Sequence, residues 1–282
     1  MIYIGTTGWS YNHWRGKFYP KVKKDSFNEL EFYANHSKLN EINTTFYRIP
    51  TEFMVRRWYH YTPKDFIFAA KLPREVTHAF QRRMSKSPHD VIQKFFSRMS
   101  GLEKKFQITV IQFPARFRKK EKTYNYLKEI IILCKLNFPG AIAVEFRDES
   151  WFSNDVKDLL QRKEISFVDT PSVNLNSDLA ISTTPIYYIR LLGDRKEIPD
   201  KELGKVHLNR SEELDSWVQK ISSLIKFYKD IFIVINNRFS GFAINDAITL
   251  RYKLSQKNIP VKGFSKTEKY IRGQLRLEEF LH

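Results

Sequence analysis

An α/β fold, a single TIM-type (β/α)8 barrel, is what this sequence predicts, and three observations carry the prediction. Eight strand-like stretches alternate with amphipathic helical ones, the pattern of a parallel sheet. The 282 residues suit such a barrel, which takes roughly 250, better than an open doubly wound sheet. Polar residues recur late in one strand after another, at the end where barrels of this type build their sites.

The elements follow in order. Ile2–Thr6 is an apolar first strand, and the aromatic loop Trp9–Pro20 follows it. Ser26, with Glu29 three residues on, reads as a capping box, and Leu30, Tyr33, Ala34 and Ser37 as the buried stripe of the helix it opens. Leu39–Thr45 is the second strand. Thr51 caps the next helix, Met54, Val55 and Trp58 face inward, and Thr62-Pro63 stops it. Phe66–Leu72 is the third strand, ended by Pro73. Val76–Arg83 reads as irregular and Asp90–Glu103 as helix. Ile108–Phe113 is the fourth strand. Lys122–Leu136 is a helix with Leu127, Ile130, Ile131 and Cys134 at helical spacing.

Ala141–Phe146 is the fifth strand, and a helix starting at Ser150 or Ser153 runs to Arg162. Ser166–Asp169 and Ile186–Leu192 are the sixth and seventh strands. A charged stretch, Gly193–Arg210, precedes a helix over Glu212–Tyr228 with Leu214, Trp217, Val218, Ile221 and Leu224 inward. Ile231–Ile235 is the eighth strand and Asp246–Leu254 the last clear helix. The tail Lys262–His282 is polar. With no linker composition anywhere, residues 1–282 read as one domain.

The bulk numbers exclude several classes. One cysteine, Cys134, leaves no disulfide framework and no cysteine-rich metal site. The chain enters a strand at once, without a signal-peptide pattern, and no apolar run approaches the ~18 residues of a membrane span. A cytoplasmic protein with no membrane partner is expected. GTTGWS after the first strand lacks the third glycine of a dinucleotide fingerprint, and no cofactor is expected. Lys and Arg total 48 against 31 acidic residues, a net charge of +17. Such a field attracts polyanions if it is clustered, and merely describes a lysine-rich surface if it is not.

Alternation along each strand assigns its faces. Glu41 and Asn43 share a side of the second strand, Ala69 and Lys71 of the third, and Val110 and Gln112 of the fourth. Ala143, Glu145 and Arg147 share a side of the fifth, Phe167 and Asp169 of the sixth, and Tyr188 and Arg190 of the seventh. Glu41 and Glu145 can serve as acid and base, with Lys71 as a desolvated amine or anion contact. Arg147 and Arg190 can clamp a carboxylate or phosphate. The plain alternative is a structural network, with Glu41–Lys71 and Glu145–Arg190 as buried ion pairs.

No histidine falls late in a strand, and three cations oppose a metal. No metal is therefore assigned, although Glu41, Glu145 and Asp169 would suit a hard divalent ion. Among the loop residues, His78 is the better acid–base candidate than His13. Trp9, Trp14, Tyr47 and Trp151 either stack on a base or sugar or pack as a lid.

Several stretches carry a resemblance: IGTTGWSYNHWRGKFYP (Ile4–Pro20), LNEINTTFYRIPT (Leu39–Thr51), the segment from Trp58 to His78, IQFPARF (Ile111–Phe117), AVEFRDESWF (Ala143–Phe152), YYIRLLG (Tyr187–Gly193) and INNRFSGFAINDA (Ile235–Ala247). In this order they resemble the family called domain of unknown function 72, the YecE/YunF-like barrels. The resemblance implies a TIM barrel without an assigned activity. It points to Glu41, Asn43, Lys71, His78, Gln112, Glu145, Arg147, Arg190, Asn236 and Asn237. Where the family often reads R-x-H-G-R, this chain has Arg190-Leu191-Leu192-Gly193-Asp194, so a histidine and an arginine are replaced. The expectation is an enzyme, a hydrolase or lyase, acting on an anionic small molecule, phosphate-bearing or nucleotide-like, at the mouth of the barrel. A nucleic-acid-binding barrel without catalysis and a metal-dependent phosphodiesterase-like barrel are the alternatives.

Overall fold

The computed structural model describes residues 1–21, 27–78, 87–170 and 184–264. Eight parallel strands close into a barrel: β1 (Ile2–Thr7), β2 (Leu39–Ile42), β3 (Ile67–Lys71), β4 (Phe106–Gln112), β5 (Ala141–Glu145), β6 (Ser166–Asp169), β7 (Ile186–Leu191) and β8 (Asp230–Ile235). They pair in sequence order, β8 pairs with β1, and β1 with β2 completes the ring. The helices are α1 (Glu29–His36), α2 (Glu52–His60), α3 (Arg74–Thr77), α4 (Pro88–Met99), α5 (Glu121–Asn137), α6 (Asn154–Arg162), α7 (Ser211–Leu224) and α8 (Ala243–Gln256).

Several boundaries have a physical cause that the sequence pattern missed. Ser26 lies outside the described residues, as do the part of Val76–Arg83 beyond His78 and the tail after Phe264. The cap of α1 is Asn28, whose side chain accepts from the backbone N–H of Leu30 and Glu31. Glu29 is taken by Arg15, with Nη2 at 2.6 Å from Oε1. Thr51 caps α2 as expected, accepting from Met54 N–H at 3.3 Å, but Met54 itself is exposed while Val55 and Trp58 are buried. The second strand ends at Ile42, because Asn43 adopts helical backbone angles and Thr44–Phe46 form a 3₁₀ turn.

Two packed cores result. Inside the barrel lie Leu39, Ile67, Ala69, Ile108, Val110, Ala143, Val168, Tyr188, Phe232 and Val234. A larger core, including the predicted stripes of α5 and α7, fills the layer between strands and helices. Val168 faces inward, so Phe167 and Asp169 face the helices rather than the barrel interior. The Asp169 carboxylate accepts from Tyr187 Oη and pairs with Lys220 of α7. A four-residue strand with apolar residues on both sides carries no alternation from which to read its faces.

The closure is short. β1 and β2 pair only through Thr6 with Asn40 and Thr7 with Glu41. Beside Ile2 and Tyr3, a two-residue ninth strand, β9 (Val261–Lys262), occupies the lower part of the same edge. Gly263 follows it with φ +110°, and a Cβ there would lie 2.4 Å from the Ile4 carbonyl oxygen. This lower closure straddles the start of the stretch Lys262–His282 read from the sequence as polar tail.

Candidate functional site

The turn after β2 organises the mouth. Thr45 Oγ1 donates to the Ile42 carbonyl at 2.9 Å and to the Lys71 carbonyl at 2.7 Å. The turn is thereby locked onto the end of β3, and the Phe46 ring lies over the Lys71 ammonium, Nζ 4.1 Å from the ring centre. Lys71 Nζ also donates to Gln112 Oε1 of β4 at 2.5 Å. Of the two ion pairs in the alternative structural reading, Glu145–Arg190 forms and Glu41–Lys71 does not.

Instead, Arg190 gathers both glutamates. Its Nη2 donates to Glu41 Oε1 at 2.8 Å, and its Nη1 donates to Glu145 Oε2. Tyr188 Oη donates to Glu41 Oε2 at 2.9 Å, and Arg147 Nε donates to Glu145 Oε1 at 2.8 Å. Every carboxylate oxygen is thus engaged, and both glutamates are fully buried. Tyr188 was not among the candidates. Its signal is its place two residues before Arg190, on the same strand face.

These contacts set the ionisation. Burial alone would raise the Glu145 carboxyl, but Arg190, Arg147 and Lys71 outweigh it and hold it at about 2. Lys71 moves the other way: burial, aided by Arg190, lowers its ammonium to about 7. His78 is lowered by burial and then by Lys71, Arg74, Arg116 and Arg147.

Above this network opens a cleft of about 470 Å³. Asn43, Tyr47, Lys71, His78, Gln112, Arg147, Arg190 and Asn236 line it, together with Phe46, Leu192, Gly193 and Arg238. Glu41, Glu145 and Asn237 do not. Asn237 Oδ1 accepts from Trp14 Nε1 at 3.0 Å and from the Ala243 N–H at 3.2 Å, which ties the loop after β8 to the start of α8. Asn236 donates to Thr7 Oγ1 at 2.8 Å and accepts from the Arg238 N–H. Leu192 gives the wall an apolar spot, and Asp194 is exposed.

Of the aromatic group, Trp14 and Trp151 are buried and packed. Trp151 stacks on Phe146 and Phe117, with ring centres 4.6 and 4.9 Å away. Trp9 meets Trp58 edge-on in the outer layer. Only Tyr47 of the four projects, at 65% exposure. Among the described residues no three His, Cys, Asp or Glu side chains cluster as metal ligands, and no helix is long and apolar enough to cross a membrane.

The site's chemistry follows from this division. The cleft offers cationic and amide donors, a desolvated amine and an imidazole, whereas the carboxylates hold Arg190 from below.

The chain is similar to several known proteins along most of its length. It is 27% identical over 275 residues to the UPF0759 protein YunF of Bacillus subtilis, covering 87% of this chain and 92% of that one. Among solved structures, a DUF72 family protein of Thermotoga maritima superposes with a TM-score of 0.75 at 28% identity, covering 90% of this chain and 99% of the other. A DUF72 family protein of Enterococcus faecalis shares the fold with a TM-score of 0.72 at 23% identity, covering 95% and 99%. A protein-family model described as "Protein of unknown function DUF72" matches residues 3–269, and the chain belongs to that family.

Proposed function

We propose that this chain is an enzyme, a hydrolase or lyase, whose barrel mouth binds an anionic, phosphate-bearing or nucleotide-like small molecule. The observation that carries this reading is the charge asymmetry of the cleft. Lys71, Arg147, Arg190 and Arg238 line it, and no carboxylate among the described residues does. The two nearest glutamates are fully buried and committed to Arg190, Arg147 and Tyr188.

In this reading Arg147 and Arg190 hold the anion. Arg190 Nε is buried with no hydrogen-bond partner among the described residues. Glu41 and Glu145 are positioning residues that fix the guanidinium. Lys71 and His78 are the groups able to move a proton, since each carries its proton weakly and reaches the cleft.

The test is anion binding at low ionic strength, followed by a turnover screen over phosphate esters. Inorganic phosphate, pyrophosphate and a nucleoside monophosphate are titrated calorimetrically into wild type and Arg147→Ala. Loss of one charge-assisted contact weakens binding by roughly 10- to 100-fold. If no anion binds, or if the variant binds as wild type does, the reading fails.

A second reading, a nucleic-acid-binding barrel, is supported by Tyr47. This exposed ring stands at the rim with the Arg74 guanidinium 5.6 Å from its centre. An exposed aromatic beside a cation is a platform for a base. It predicts oligonucleotide affinity that falls steeply with salt and weakens on Tyr47→Ala.

A further inference from the structure

We infer that Lys71 is an imine-forming amine and that the anion taken at the mouth carries an aldehyde or ketone carbonyl. The inference rests on the reading of the mouth as an anion site, and it selects lyase chemistry over hydrolysis.

Lys71 is a buried lysine without a carboxylate. Among the described residues no acidic oxygen lies within salt-bridge distance of its Nζ, because Glu41 and Glu145 are taken by other groups. Its contacts are the neutral Gln112 amide at 2.5 Å and the face of Phe46. Two guanidinium groups, those of Arg147 and Arg190, share the cleft with it. Burial, with the neighbouring guanidinium groups, favours the free amine and outweighs the more distant Glu145 and Glu41, which favour the ammonium. With its pKa lowered to about 7, about half of Lys71 is free amine at neutral pH, against roughly one part in a few thousand for an ordinary lysine. A desolvated amine beside cationic groups, open to a cleft, is the form of lysine that condenses with carbonyls.

The step balances without a co-reactant. The amine nitrogen attacks the carbonyl carbon, the C–N bond forms, and one proton passes from nitrogen to oxygen. The C–O bond then breaks, the hydroxyl takes the remaining amine proton and leaves as water, and C=N results. Arg147, which lines the cleft, holds the anionic end meanwhile. The imine draws electrons from the adjacent carbon, which weakens a bond there.

The experiment uses pyridoxal 5′-phosphate as a phosphate-bearing aldehyde probe. It is mixed stoichiometrically with the full chain at pH 7 and low salt, reduced with cyanoborohydride, and mapped by peptide mass spectrometry. The expected result is labelling of Lys71 at least ~10-fold above any other lysine, in keeping with its larger amine fraction. Inorganic phosphate suppresses this label, and Arg147→Ala reduces it. Lys71→Arg and Lys71→Met both abolish it while retaining the circular dichroism of the wild type. Label spread evenly over surface lysines overturns the inference. If phosphate still binds wild type and not Arg147→Ala in that case, the anion site stands and only the imine falls. If phosphate does not bind either, both fall together.

Discussion

Arg190 Nη2 lies 2.8 Å from Glu41 Oε1, a contact between β7 and β2 that spans 149 residues of chain. With Nη1 on Glu145, the same guanidinium balances two carboxylates that are 0% exposed. Arg190→Met leaves Glu41 buried without its ion-pair partner and Glu145 with Arg147 alone, which costs about 3–5 kcal/mol. Combining it with Glu41→Gln and Glu145→Gln removes the stranded charge, so the triple variant is more stable than Arg190→Met alone. Urea unfolding of the set measures both. An Arg190→Met midpoint equal to wild type would show that the clamp holds nothing.

Glu145 makes the fold acid-sensitive in a defined window. Its carboxyl drops from an ordinary 4.5 to about 2 in the folded chain. The stability that this contributes is present above about 4.5, where the unfolded form is also ionised. It is lost as pH falls toward 2, because the unfolded chain binds the proton first. The contribution is about 3 kcal/mol. Plotted against pH, unfolding free energy should fall between 4.5 and 2 more steeply for wild type than for Glu145→Gln. Parallel curves would refute the assignment.

Lys71 gives a slope of the same sign between neutral and alkaline pH. Its folded value of about 7 lies below the ordinary 10.5. Between these values the unfolded chain carries the extra proton, so stability rises with pH across the interval. Lys71→Met removes a buried amine and should stabilise the fold at pH 7 by about 1–3 kcal/mol. The gain should shrink toward pH 10. Chemical denaturation at the two pH values decides, and a destabilised variant at pH 7 would contradict it.

Gly193 is required by close approach. A Cβ there would sit 1.7 Å from the Arg238 carbonyl oxygen and 2.3 Å from its carbon. Gly193→Ala therefore pushes back the loop that carries Asn236 and Arg238, both in the cleft wall. The expected loss is about 1–3 kcal/mol of stability, together with weaker phosphate binding. Leu192→Ala next to it trims only a half-buried wall residue, and should leave the thermal midpoint closer to wild type. Equal effects of the two changes would sink this argument.

The barrel was legible because β3, β4, β5 and β7 are each a mainly apolar run with a polar residue at or next to its end, so the last inward position of each could be read. Lys71, Gln112, Glu145 and Arg190 all stand where that reading puts them. β6 failed the same method, since Phe167 and Val168 are apolar on both faces. Asn43 was read as strand because Thr44 and Thr45 are strand formers. The hydroxyl contact from Thr45 to β3 overrides that propensity, and nothing local announces it. Which acid meets which cation was also not legible. Glu41 was paired with Lys71 and Glu145 with Arg190, whereas Arg190 reaches both glutamates, a bridge across the barrel that no strand pattern announces.

The clamp has a consequence for biosynthesis. A chain emerging from the ribosome carries Glu41 and Glu145 well before it carries Arg190, which also supplies the last link between β2, β5 and β7. Until that residue emerges, the acids of β2 and β5 lack the one guanidinium that pairs with both. Barrel closure and assembly of the mouth are then one event, late in synthesis, and truncations that end before β7 should gain helix without gaining cooperative unfolding.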